Sequence, residues 1–152
     1  MQIRLLAQHT FPAPRAAVFA LALDPARFPA TFRGCGPVPA VQRITALAPP
    51  AVGSLRELEN SDGSRVTERI TALEVPSHHA YTLTGLAPPM SWLVRAGHAD
   101  WTFASVADGT HVRWRYDWEL AGPLAWPVAW PLLQGFMRHA MRRCLRAMAE
   151  EL

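Results

Sequence analysis

Residues 110–150, "THVRWRYDWELAGPLAWPVAWPLLQGFMRHAMRRCLRAMAE", carry two patterns of different period. Up to Leu120 the chain alternates. Val112, Trp114, Tyr116, Trp118 and Leu120 share one side, and His111, Arg113, Arg115, Asp117 and Glu119 share the other. Period two predicts a strand with one dry face and one wet face. From residue 131 the period lengthens. At 100° per residue, Leu133, Phe136, Met137, Ala140, Met141, Cys144, Leu145 and Met148 fill about half the circle, and Arg138, His139, Arg142, Arg143, Arg146 and Glu150 fill the rest. That predicts an amphipathic helix over 131–150, with its arginines towards the end where the helix dipole favours cations. A one-sided strand followed by a one-sided helix predicts a helix lying on a sheet.

Upstream, "QIRLLAQHTF" reads as a first strand. Pro14 stands where a helix can start, before "RAAVFALALD", and Asp24-Pro25 caps a second short helix, "ARFPATF". Further strands follow at 41–47, 54–60, 64–73, 79–86, 93–106 and 110–120, separated by Pro-Pro, Asp-Gly or Gly turns. Strands adjacent in sequence most simply pair as an antiparallel meander. The fold class is therefore α+β: a seven-stranded antiparallel sheet wrapped around a long C-terminal helix, with two short helices after strand 1.

Totals bound the function. The 152 residues suit a single domain, half of them hydrophobic and 18% charged. The net charge of +3 comes without a Lys/Arg run, so no nucleic-acid partner is expected. Two cysteines, Cys35 and Cys144, make neither a disulfide framework nor a metal motif, and both read as free thiols in a reducing compartment. The N-terminus lacks the long apolar core of a signal peptide. The longest apolar run, residues 122–137, is shorter than the ~20 residues of a spanning helix and holds three prolines. A cytoplasmic location follows as the expectation. Within that run "LAWPVAWPLL" reads as an exposed apolar lip at a cavity mouth, as a membrane-touching segment, or as core packing at the helix start, which is the simpler reading; residues 122–137 as a lipid- or partner-docking module are a third functional reading.

Residues 55–70, "LRELENSDGSRVTERI", pose a problem of charge, because Arg56 and Glu68 lie on the strand faces of Leu58, Val66 and Ile70. A two-residue Asp62-Gly63 turn sets Glu57 against Glu68 and Arg56 against Arg69, which is unfavourable. A three-residue turn, Ser61-Asp62-Gly63, with Gly63 in the left-handed conformation, sets Leu58 against Val66 and Arg56 against Glu68. We expect the second register. The ion pair is then either buried beside a hydrated pocket or an outer-face bridge, and the sequence leaves both open. A two-residue Asp108-Gly109 turn predicts Trp101 opposite Tyr116, Ala99 opposite Trp118 and Gly97 opposite Leu120. Small residues facing large ones leave room for the large ones or for a guest. The six Trp, six Phe and two Tyr suit an apolar pocket or a packed aromatic core.

The series F-x-A-P-x-x-x-V-F (Phe11–Phe19), Asp24-Pro25, Gly53-Ser54-x-Arg56, Asp62-Gly63, Glu68-x-Ile70 and Gly109-Thr110-x-Val112-x-Trp114 resembles the START-like superfamily. Within it the chain is most similar to bacterial polyketide cyclase/dehydrase-like proteins. The resemblance runs along essentially the whole chain and implies a helix-grip fold, like that of the birch-pollen allergen, with an apolar cavity. It also implies binding of lipids, sterols, polyketides or other hydrophobic molecules, with cyclase or dehydratase activity in a minority of members.

The candidate ligand-binding residues are Arg56, Glu68 and Tyr81 as polar handles, Trp101, Trp114 and Trp118 as apolar walls, and Met137 and Met141 as adaptable helix contacts. The expected partner is a hydrophobic small molecule. The alternative is a cyclase or dehydratase in which Glu68 or Tyr81 moves a proton in the same cavity. No residue can be assigned as catalytic, no cofactor is expected, and the histidines show no zinc-ligand spacing. His78 and His79 are adjacent and should point to opposite faces.

Overall fold

A computed structural model describes residues 1–152. Its strands are β1 (Gln2–Phe11), β2 (Val41–Ala46), β3 (Leu55–Asn60), β4 (Arg65–Glu74), β5 (His78–Thr84), β6 (Val94–Val106) and β7 (Gly109–Leu120). They form one antiparallel sheet in the order β1-β7-β6-β5-β4-β3-β2. Only the β1–β7 pairing departs from a simple meander, placing Ile3 opposite Trp118 and Ala7 opposite Trp114. Register shifts at Val41/Arg43, Ile70/Ala72 and Val94/Ala96 bend the strands and curl the sheet.

Between β1 and β2 lie α1 (Arg15–Leu23) and one 3-10 turn at Phe28–Ala30. The expected second short helix is thus reduced to a single turn, because Pro29 removes a backbone donor within it. The C-terminal helix starts earlier than residue 131. After a 3-10 turn at Pro123–Ala125 it runs through α2 (Trp126–Pro131), a π segment (Leu132–Met137) and α3 (Arg138–Glu150). Pro127 and Pro131 cannot donate to the i→i−4 ladder, and the wider π turn follows directly.

The inner face of the sheet is the one predicted from β7. Val112, Trp114, Tyr116, Trp118 and Leu120 are all buried, and Ala140, Met141, Cys144, Leu145 and Met148 of α3 meet the core. Phe136 departs from its place on the apolar wheel. The π segment adds a residue to the turn and rotates it outwards, leaving it 43% exposed with its ring over Gly36.

The β3–β4 hairpin takes the three-residue turn. Arg56 stands opposite Glu68 and Leu58 opposite Val66, Asn60 N–H donates to Ser64 O at 2.9 Å, and Gly63 has φ 86°. This face is the inner one, with Arg56 only 4% and Glu68 3% exposed.

The β6–β7 hairpin corrects the sequence reading. Trp101 faces Trp114, Ala99 faces Tyr116 and Gly97 faces Trp118, so the pairing is displaced by two residues and the turn is Ala107-Asp108. Gly109 is the first residue of β7, not a turn residue. A Cβ there would lie 1.9 Å from the Phe11 carbonyl oxygen, so the glycine permits the close approach of β7 to the end of β1. Nor does Gly97 leave room for a guest. Tyr116 and Trp118 already occupy the space its side chain would take, at 2.6 and 3.0 Å.

The run 122–137 does not pack into the core as a whole. Ala129, Leu133 and Met137 are buried, whereas Leu124, Trp126, Val128 and Trp130 remain exposed. The two tryptophans lie against each other with ring centres 6.0 Å apart. No helix is long and apolar enough to cross a membrane.

Candidate functional site

The C-terminal helix does not grip the whole sheet. Its α3 part approaches chiefly β1, at one edge. Towards β3, β4 and β5 the sheet curls away, and a cavity of about 220 Å³ remains. Leu58, Val66 and Leu83 form part of its sheet side. Leu132, Leu133 and Met137 of the π segment face them, and the loops at 37–39 and 86–90 contribute their own walls. Of the 26 lining residues 18 are hydrophobic, so an apolar guest would leave water at little polar cost.

A polar group closes one side. Arg56 Nε lies 3.1 Å from Glu68 Oε1, and Arg56 Nη1 donates to the Leu23 carbonyl at 2.8 Å, tying β3 to the end of α1. Nε and Oε1 are close enough to attract but are not aligned as a hydrogen bond. Burial pushes the Glu68 carboxyl above its usual range, and the Arg56 charge works against that shift. Tyr81 and Tyr116 stand nearby with ring centres 6.2 Å apart. Burial, reinforced for Tyr81 by the charge of Glu68, drives both phenols well above their ordinary range, so both keep their protons.

Five of the candidate residues line the cavity: Glu68, Tyr81, Trp114, Trp118 and Met137. Arg56 stands behind Glu68. Trp101 is stacked behind Trp114 with ring centres 4.1 Å apart, and Met141 is fully buried in the core beyond the cavity. Sequence reasoning missed Tyr116, Phe28, Phe32, the loop at 86–90 and Leu93 as lining residues. Tyr116 was legible, since it shares its strand face with Trp114 and Trp118. The loops were not, because irregular backbone carries no periodic signal.

The histidines divide by face. His78 points outwards, 3.1 Å from Asp100, and His98 bonds Thr82 at 3.0 Å on the same wet side. His79 points inwards against Tyr81 and Phe19, and neither ring nitrogen has a partner. Burial, with Arg56 and His78 adding to it, lowers its pKa to about 3 and keeps the ring neutral. No group of three or more His, Cys, Asp and Glu side chains comes together as a metal site.

Comparison with known proteins agrees with this architecture. The family described as "Polyketide cyclase / dehydrase and lipid transport" matches residues 2–152. Among solved structures, the di-domain ARO/CYC StfQ from the steffimycin biosynthetic pathway superposes with TM-score 0.76 at 15% identity, covering 99% of this chain and 52% of that one. TTHA0849 from Thermus thermophilus gives 0.73 at 17% identity over 97% and 95% of the two chains. Norcoclaurine synthase from Thalictrum flavum, in complex with dopamine and hydroxybenzaldehyde, gives 0.73 at 8% identity over 99% and 86%. At these identities the likeness is one of fold. No curated protein matches the sequence.

Proposed function

The chain belongs to the polyketide cyclase/dehydrase and lipid transport family, and we propose that it binds a hydrophobic small molecule, lipid-like or polyketide-like, between the sheet and the C-terminal helix. The observation that carries this reading is the cavity of about 220 Å³, lined mainly by apolar side chains and placed where the helix leaves the sheet. Glu68, Tyr81, Trp114, Trp118 and Met137 contact the guest. Arg56, Trp101 and Met141 hold these residues in place from behind. The free thiols of Cys35 and Cys144 suit a cytoplasmic setting.

A cyclase or dehydratase reading is favoured by one observation, the convergence of Glu68, Tyr81 and Tyr116 on the cavity. Burial raises the Glu68 carboxyl in the direction a general base needs, while the Arg56 ion pair opposes that shift and engages one of its oxygens. Binding needs only the apolar cavity and is the stronger reading.

The test is a titration of the folded chain with the uncharged fluorophore N-phenyl-1-naphthylamine, beside Val66→Trp. Val66 is buried in β4 and lines the cavity. The larger ring should occupy the space and abolish most of the fluorescence gain, at a stability cost of about 1–3 kcal/mol. A parent protein that leaves the fluorophore dark, or a folded variant that binds it equally well, would refute the pocket.

A further inference from the structure

This inference rests on the binding reading above and specifies its ligand. The cavity wall has a one-sided charge. Its ionisable lining residues are Glu68, Asp62 and the two tyrosines, and no Lys, Arg or His lines it. Asp62 lies at the exposed hairpin tip, where its Oδ1 accepts from Ser64 N–H at 2.9 Å. Glu68 is the buried one.

Burial raises the Glu68 carboxyl, the Arg56 charge opposes that shift, and the geometry is that of an ion pair. The Arg56 guanidinium is permanently charged, it is buried, and its ion-pair partner is Glu68 alone. Protonating Glu68 would leave that charge unpaired inside the protein. An ionised carboxylate only accepts hydrogen bonds. Oε1 is turned to Arg56, the one side chain that acts on the carboxylate. A second carboxylate arriving in the cavity would lose its water with no cation in the wall to receive it, and its nearest charged neighbour there would be a carboxylate. A hydroxyl or N–H meets an acceptor in the wall instead.

We propose that the cavity selects an uncharged amphiphile, an apolar body ending in one O–H or N–H donor at Glu68, and rejects the carboxylate of the same skeleton. The volume of about 220 Å³ falls below the ~300–1,000 Å³ of drug-sized pockets. The body is therefore a medium-length chain or one to two rings.

The experiment displaces bound N-phenyl-1-naphthylamine from the folded chain with decan-1-ol, decanoate or decyl methyl ether, which is uncharged but has no donor. The alcohol should act at a concentration at least about tenfold lower than either of the others. In Glu68→Gln the preference should shrink. In the double variant Arg56→Met/Glu68→Leu, which removes both charges and so guards against misfolding of the single variant, the alcohol and the ether should fall within about threefold of each other. Decanoate or the ether matching the alcohol in the parent overturns the proposal. So does a preference for the alcohol over the ether that survives intact in the folded double variant, since solubility alone then explains it. Failure of the fluorophore to bind at all is a different result and removes the pocket itself.

Discussion

Arg56 and Glu68 face each other across β3 and β4 with Nε and Oε1 3.1 Å apart, on the inner side of the sheet. Each is the other's only charge partner, and both are almost wholly removed from water. Arg56→Ala or Glu68→Ala should each cost about 3–5 kcal/mol in equilibrium urea unfolding, because each leaves one buried charge unpaired. The double replacement Arg56→Met/Glu68→Leu should recover most of that loss. A double variant as unstable as the singles would show that the pair contributes stability beyond mutual neutralisation.

His79 ties part of the acid stability to a buried ring. Burial lowers its pKa to about 3 in the folded chain, against 6.5 when exposed. Between these values the unfolded chain binds a proton that the folded chain does not. Stability present at neutral pH is therefore lost as the pH falls from 6.5 towards 3, by at most ~1.4 kcal/mol per pH unit from this group. His79→Leu should flatten the dependence over that window, measured by urea midpoints at a series of pH values. An unchanged slope would mean that the ring protonates without unfolding.

Gly109 is a packing glycine. Gly109→Ala should destabilise by more than about 2 kcal/mol, since the new methyl meets the Phe11 backbone and not a side chain that can turn aside. Gly63→Ala, at a turn with φ 86° and open space around it, should cost only about 1 kcal/mol. Thermal melts of the two variants compare them directly, and equal losses would contradict the assignment.

The two thiols should react at different rates. Cys144 is fully buried, 3.5 Å from the Thr31 hydroxyl, and burial pushes its pKa up to about 12. Cys35 is partly exposed. A chromogenic disulfide reagent should label one thiol rapidly in the native protein and both in denaturant. Rapid labelling of both without denaturant would reveal frequent opening of α3 from the sheet.

Local chemistry and periodicity carried much of this protein into view. The alternation from Val112 to Leu120 defined the inner face, because successive side chains on a strand must point opposite ways. The charges of Arg56, Glu57, Glu68 and Arg69 chose the β3–β4 turn, because one register joins opposite charges and the other opposes like ones. The family resemblance added the helix-grip arrangement. The sequence could not register the second hairpin, because the constraint on Gly109 comes from Phe11, about a hundred residues away and adjacent only once β1 pairs with β7. Phe136 was misplaced for a related reason, since the π turn at Leu132–Met137 changes the helical angle on which the wheel depends. The cavity lay furthest from the sequence. It exists because α3 follows β1 while β3–β5 curl away, and its walls come from loops without periodicity. Residue type decided which side chains seek the interior. Only the tertiary structure decided which of them, like Trp101 and Met141, would be fully packed and which, like Tyr116 and Leu83, would border open space, because that depends on how far apart the helix and the sheet come to rest.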